Sequence, residues 1–395
     1  MNMLAQSQFQ SSLVQSRAVV ASPPKRNPSV ELLRCVLMFL IVLHHAAFLG
    51  YWEGDASQLP MLLGFTTLTY WHVDSFVAVS GWFGIKFNWR KFFSLWSVVA
   101  FYAVCSVGYL LLTKGRFSPF QLFSFGGWFA GTYLMLMLMS PLLNAAVEHI
   151  CSKGRKAAFC AWLPFAIGMV CAWFPAHFMS FVIPGGRGAF TILTMSFVYV
   201  TARMLKTLNI QFRNSKVLLL AGGGYIIMSG ISYSIFKIAA LLGIGDVMNI
   251  ELFTKIASYD SPHTIALSVL IVYFFAVKVK VSDCMSRIVF FIAPSIFGIY
   301  LLHDTTSFGR LLYRIPETYL SSHTMLSPML IVFLCAILTF ILSLVGDLGR
   351  RFIFFSLSEL FCFLTKMRRR RRAVTTCNLR ALKPELDYIC DVKEL

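Results

Sequence analysis

Long unbroken apolar runs alternate with short polar segments along most of this chain. A helix needs about 20 mostly apolar residues to cross the hydrocarbon core of a bilayer. Runs of that kind fall roughly at 29–50, 64–85, 92–112, 125–147, 157–175, 187–205, 217–236, 262–278, 287–304 and 327–347. They are continuous and too long for barrel strands, which alternate apolar and polar residues over about ten positions. The pattern predicts an all-α integral membrane protein with about ten transmembrane helices. It divides the chain into a flexible leader over 1–28, a membrane domain over 29–355, and a basic juxtamembrane segment with a polar tail over 356–395.

Composition agrees with lipid as the solvent. The chain is 57% hydrophobic and only 13% charged, where soluble domains carry about 25% charged residues. Its net charge of +18 would suggest nucleic acid in a soluble protein. Here the Lys and Arg residues sit in the short segments between apolar runs, so no nucleic-acid partner is expected. None of the 10 Cys forms a Cys-x-x-Cys pair. Cys105, Cys171 and Cys335 lie inside apolar runs and read as small hydrophobes, not as a disulfide framework or metal site. The Gln-, Ser- and Pro-rich leader shows no signal-peptide pattern.

Cytoplasmic loops carry an excess of Lys and Arg. With the N-terminus inside, the inner segments hold Arg17, Lys25 and Arg26; Lys86, Arg90 and Lys91; Lys153, Arg155 and Lys156; Arg203, Lys206, Arg213 and Lys216; and Lys278, Lys280 and Arg287. The outer segments hold only Lys114, Arg116, Arg187, Lys237, Lys255, Arg310 and Arg314. Ten spans return the C-terminus to the inside, with which Arg350, Arg351 and the run Arg368–Arg372 agree; the five consecutive arginines read as a juxtamembrane anchor on anionic lipid. Both termini are therefore expected in the cytoplasm.

Ionisable residues inside spans need a reason, because each costs about 2.5–3.5 kcal/mol at the membrane centre on the insertion scale. In the first span Arg34 and His45 are eleven residues apart. Eleven helical steps return to the same face about 16 Å further along, so both can line one cavity. His44 points about 100° away, towards a neighbouring helix. Each alone has a plainer reading: snorkelling for Arg34, a satisfied buried or interfacial residue for His45. Asp74 lies deep in the second span, where a short side chain cannot snorkel. It needs a partner, for which a His or Arg of the first span is nearest in sequence. Ser80-Gly81 permits a close helix approach. Trp128 and Tyr133 read as a belt aromatic and a buried hydroxyl, with Pro141 kinking the same span. His303 and Asp304 end the ninth span on the outer side, where simple interfacial placement also accounts for them. No P-loop, HExxH, GxSxG or paired-carboxylate glycosidase pattern is present.

These residues resemble the type-three family of polytopic membrane acyltransferases. Arg34 and His45 match an Arg followed eleven positions later by a His in that family's first span. Val73-Asp74-Ser75-Phe76 through Ser80-Gly81 is similar to its Val-Asp-Leu-Phe-Phe-Val-Leu-Ser-Gly. Trp128 to Asn144 resembles a branch with Trp-Phe, then Tyr, then Ser-Pro-Leu-Leu-Asn. Phe297 to Asp304 resembles Phe-Gly-Ile-Tyr-Leu-Ile-His-Asp of the same branch. The resemblance covers about 29–355. One departure is clear: the Arg-x-x-Arg pair of many members is replaced by Lys86, Arg90 and Lys91.

The resemblance implies transfer of an acyl group, acetyl in the simplest case, from cytoplasmic acyl-CoA to a hydroxyl of a surface glycan or lipid-linked sugar, at the plasma (inner) membrane. Acyl-CoA is then a co-substrate, with no bound cofactor or metal. On this reading Arg34, Arg90 and Lys91 hold the CoA phosphates, His45 is the general base and Asp74 orients it. The alternative is a proton-coupled secondary transporter of a glycolipid or small solute. The absence of a repeated half with matching broken helices counts against it.

Overall fold

The computed structural model describes residues 26–47, 65–114, 127–178, 192–212, 215–242, 258–305, 309, 311–314, 318 and 327–391. The leader up to Lys25, with Arg17, lies outside these residues, as do Arg116, Arg187, Arg213, Lys255 and Arg310. Among the described residues the regular elements are all helical. They are α1 (Pro28–His45), α2 (Trp71–Phe83), α3 (Trp89–Lys114), α4 (Gly127–Ser152), α5 (Arg155–Phe178), α6 (Ile192–Thr207), α7 (Lys216–Leu241), α8 (Pro262–Val277), α9 (Asp283–Ile292), α10 (Ile296–Tyr300) and α11 (Pro328–Asp391). The described part of each of the ten predicted segments contains helix.

Among the described residues six stretches are long and apolar enough to cross a membrane: Pro28–His45, Trp89–Thr113, Gly127–Ser152, Lys216–Ile235, Asp283–Asp304 and Met329–Leu360. The protein is an all-α, multi-pass integral membrane protein. The shorter α2, α6 and α8 form the interior. Nine of the 13 residues of α2 are buried, from every side of the helix. The long α3 and α7 instead turn Leu111, Leu112, Leu219, Leu220, Ile226 and Ile227 outward, bare in the isolated chain. Apolar surface of that extent needs lipid against it.

Local chemistry fixes the helix ends. Asn27 caps α1 by accepting the Ser29 amide at 3.0 Å, ahead of Pro28 at the first helical position. The Asn27 amide and the Ser29 hydroxyl donate to Ala276 and Val279 carbonyls at 3.4 and 2.7 Å, tying the start of α1 to the end of α8. α2 ends at Gly84, whose φ of 71° suits glycine. The next residue is held from two helices. Tyr199 Oη accepts the Ile85 amide at 2.8 Å and donates to Asn144 Oδ1 at 2.8 Å, while Asn144 Nδ2 donates to the Ile85 carbonyl at 2.9 Å. Asn144, the last residue of the Ser140–Asn144 motif, thus anchors α2 to α4 and α6. Within that motif Pro141 has no N–H for the Met137 carbonyl, and the Ser140 hydroxyl donates its O–H there instead, at 2.7 Å. Gly81 lets α6 close in: a Cβ there would lie 2.3 Å from the Tyr199 carbonyl oxygen.

Two elements depart from the expected spans. The ninth is not one helix: a 3₁₀ turn at Ala293–Ser295, containing Pro294, separates α9 from α10, and a π-helical turn follows over Leu301–Thr305. Proline accounts for the break, since it cannot donate to the helical ladder. The last helix runs on from Pro328 to Asp391, through the segment expected to be a non-spanning tail.

Candidate functional site

A cavity of about 150 Å³ opens among α1, α2, α3, α4 and α10. On α1 its wall is formed by Arg34, Met38, Ile41 and His45, the spacing of a single helical face. Arg34 and His45 therefore do share one cavity. Arg34 is partly exposed at one end and pairs with Glu31 at 3.3 Å. The guanidinium keeps further N–H groups beyond that one contact.

At the other end His45 is held from the opposite helix. Its Nδ1 lies 3.2 Å from His303 Nε2 and 3.6 Å from Asp304 Oδ1. Both partners lie in the π-helical turn over Leu301–Thr305, so two successive side chains of that turn meet the same imidazole. His303 is buried, and its Nδ1 lies 2.6 Å from the Ile299 carbonyl, which can only accept. The His303 proton is therefore on Nδ1. With His303 as the neutral imidazole, its Nε2 accepts from His45 Nδ1–H, and the unprotonated nitrogen of His45 is Nε2.

The adjacent His44 is used differently. The Thr69 hydroxyl donates to the Thr66 carbonyl at 2.7 Å, so it accepts from His44 Nδ1 at 2.8 Å. The ring packs edge-on against Tyr70 and His72, each with centroids 5.2 Å away. His44 thus faces the segment leading into α2, as its 100° offset implies.

The remaining candidates divide clearly. Trp128, Tyr133 and Asp304 line the cavity. Tyr133 Oη is hydrogen-bonded to Ser80 Oγ at 3.0 Å and stacks on Phe129. Asp74 is buried, but no hydrogen bond or ion pair joins it to His45, and its Oδ2 has no hydrogen-bond partner. The carboxylate beside His45 is that of Asp304. Asp74 lies on α2 but not in the wall that His72, Val73, Phe76 and Ser80 of the same helix form. Arg90 and Lys91 are exposed in the first turn of α3 and do not line the cavity. Lys91 lies one turn before Leu95, which does.

Sequence reasoning passed over His72, Tyr259 and Tyr300, all in the wall. Tyr259 belongs to the polar turn Ser258–Ser261 before α8, in which the Ser258 hydroxyl donates to Asp260. The turn sets the Tyr259 ring against Tyr70, His72 and Trp128. The available signal was Ser-Tyr-Asp-Ser-Pro, a helix-start pattern at a membrane boundary. A second missed group lies behind α10. Asp347 of α11 accepts from Tyr102 Oη at 2.9 Å and from Arg350 at 2.6 and 3.2 Å. Gly298 makes room for it, as a Cβ there would lie 1.7 Å from Asp347 Oδ1.

A family model described as an acyltransferase domain matches residues 27–347. This chain belongs to the type-three acyltransferase family. The match spans the whole cavity, and it makes the protein a membrane acyltransferase. For the acyltransferase, no curated protein and no solved structure gives a significant match. The Phe297–Asp304 motif of this acyltransferase supplies the floor of the cavity, the glycine facing Asp347 and the two partners of His45.

Proposed function

We propose that the cavity is the site of O-acylation, with acyl-CoA, acetyl-CoA in the simplest case, entering at Arg34 and a hydroxyl of a glycan or glycolipid arriving at His45. The observation that carries this reading is the held His45, its Nε2 left as a base at the far end of a passage from a half-exposed arginine. CoA is anionic, and Arg34 at the mouth suits its phosphates. Arg90 and Lys91 act from the surface one turn beyond Leu95, attracting the donor without gripping it. About 16 Å separates Arg34 from His45 along α1, so an anchored donor reaches inward with its thioester. Trp128, Phe129, Tyr259 and Phe297 enclose a short acyl group.

In the reaction, the acceptor oxygen attacks the thioester carbonyl as its proton passes to His45 Nε2. The tetrahedral intermediate then collapses, the C–S bond breaks, and the His45 imidazolium returns the proton to the thiolate. Asp304 stabilises that imidazolium from the Nδ1 side. The route needs no acyl-enzyme. Lys and Arg placement supports entry of the donor from the cytoplasmic side, and a surface-glycan acceptor fits the plasma (inner) membrane. Family membership favours this reading over a transporter.

The test is radiolabelled acetyl-CoA supplied to the purified protein with glycan acceptors from its host. Label should enter the glycan, and His45→Ala should lower the rate about 10²–10⁴-fold. Label that stays in CoA with every glycan fraction would contradict O-acylation.

A further inference from the structure

His72 is fully buried in the first turn of α2, and neither ring nitrogen has a hydrogen-bond partner. It also lines the cavity that holds His45. A buried polar group without a partner is costly, most of all inside a membrane, where water does not replace the missing contact. Packing alone does not account for a histidine here. Its ring contacts are edge-on to His44, at 5.2 Å and 88°, and tilted to Tyr259, at 5.9 Å and 51°. A phenylalanine would make both without the unmet nitrogens. Three of the polar side chains around the cavity are engaged elsewhere. His44 Nδ1 meets Thr69, Ser80 meets Tyr133 and the Phe76 carbonyl, and His45 Nδ1 meets His303.

We propose that His72 is a second catalytic residue, donating its imidazole N–H to the thioester carbonyl oxygen as that oxygen takes up negative charge. This rests on the cavity being the transfer site. A neutral imidazole always carries one N–H, and at His72 no protein group accepts it. A donor fixed in place before the reaction stabilises the developing oxyanion without reorganising. His72 transfers no proton. The carbonyl oxygen gains charge as the C–O bond forms and loses it as the C–S bond breaks, while His45 carries the hydroxyl proton. The two histidines thus divide the chemistry, one as base and one as oxyanion donor.

The experiment compares His72→Phe, His72→Gln and His45→Ala in one radiolabelled acetyl-CoA assay, with host glycan as acceptor. The expected result for His72→Phe is a fall in kcat of about 10²–10³-fold, with KM for acetyl-CoA and melting temperature unchanged. His72→Gln, which keeps an N–H, should retain at least tenfold more activity than the phenylalanine variant. Full activity in His72→Phe while His45→Ala is inactive would overturn this inference and leave the transfer site standing. Full activity in both would overturn the transfer site as well. Equal losses in the Phe and Gln variants would show a packing role and also overturn the inference. If His72→Phe does not fold, His72→Leu replaces it, and a difference of less than tenfold from His72→Gln is the contradicting result.

Discussion

At the scale of single residues, the Arg34 to His45 spacing was legible because helical geometry is periodic, and both residues line the same cavity. The partner of His45 was not legible. Asp74 lies 29 positions from His45 and Asp304 lies 259, yet only Asp304 approaches its ring, at 3.6 Å. No local periodicity encodes which distant helix closes on a cavity. If the carboxylate that stabilises the imidazolium is Asp304, Asp304→Asn should lower kcat more than Asp74→Asn when both are measured at equal expression. A larger loss in Asp74→Asn would return the orienting role to the second span. His72 was passed over because an isolated histidine at a span boundary resembles ordinary interfacial placement. Its meaning comes from what it does not touch.

At the scale of elements, the positions of the helices could be read from apolar run length, but the breaks within them could not. The ninth span reads as one run, although Pro294 and the π-helical turn divide it. That irregularity sets His303 and Asp304 against His45. Its neighbour Gly298 shows the packing that holds it. The Asp347 carboxylate, paired with Arg350 and Tyr102, fills the space a side chain would take. Gly298→Ala should push that buried pair apart. Breaking a buried ion pair typically costs about 3–5 kcal/mol, so the melting temperature in detergent should fall markedly. An unchanged melting temperature would show that α10 and α11 separate easily. Gly81→Ala probes the α2–α6 approach in the same way, with the Tyr199 backbone as the obstacle.

At the scale of the whole molecule, the Lys and Arg asymmetry of the loops predicts a chain that reverses at each span. The start of α1 meets the end of α8, and the ends of α1 and α10 meet at His45. The loop near Lys153 and the segment near Arg314 should then label from opposite sides in cysteine-accessibility experiments. Labelling of both from one side would contradict the topology. The central claim is that a donor and an acceptor meet at His45 across this topology. The most direct test compares the two adjacent histidines in one acyl-transfer assay at equal expression. His44 meets Thr69, and its loss should be mild. His45→Ala should abolish most transfer while leaving insertion and acyl-CoA binding intact. Full transfer in His45→Ala, with transfer lost in His44→Ala, would contradict the assignment of the base.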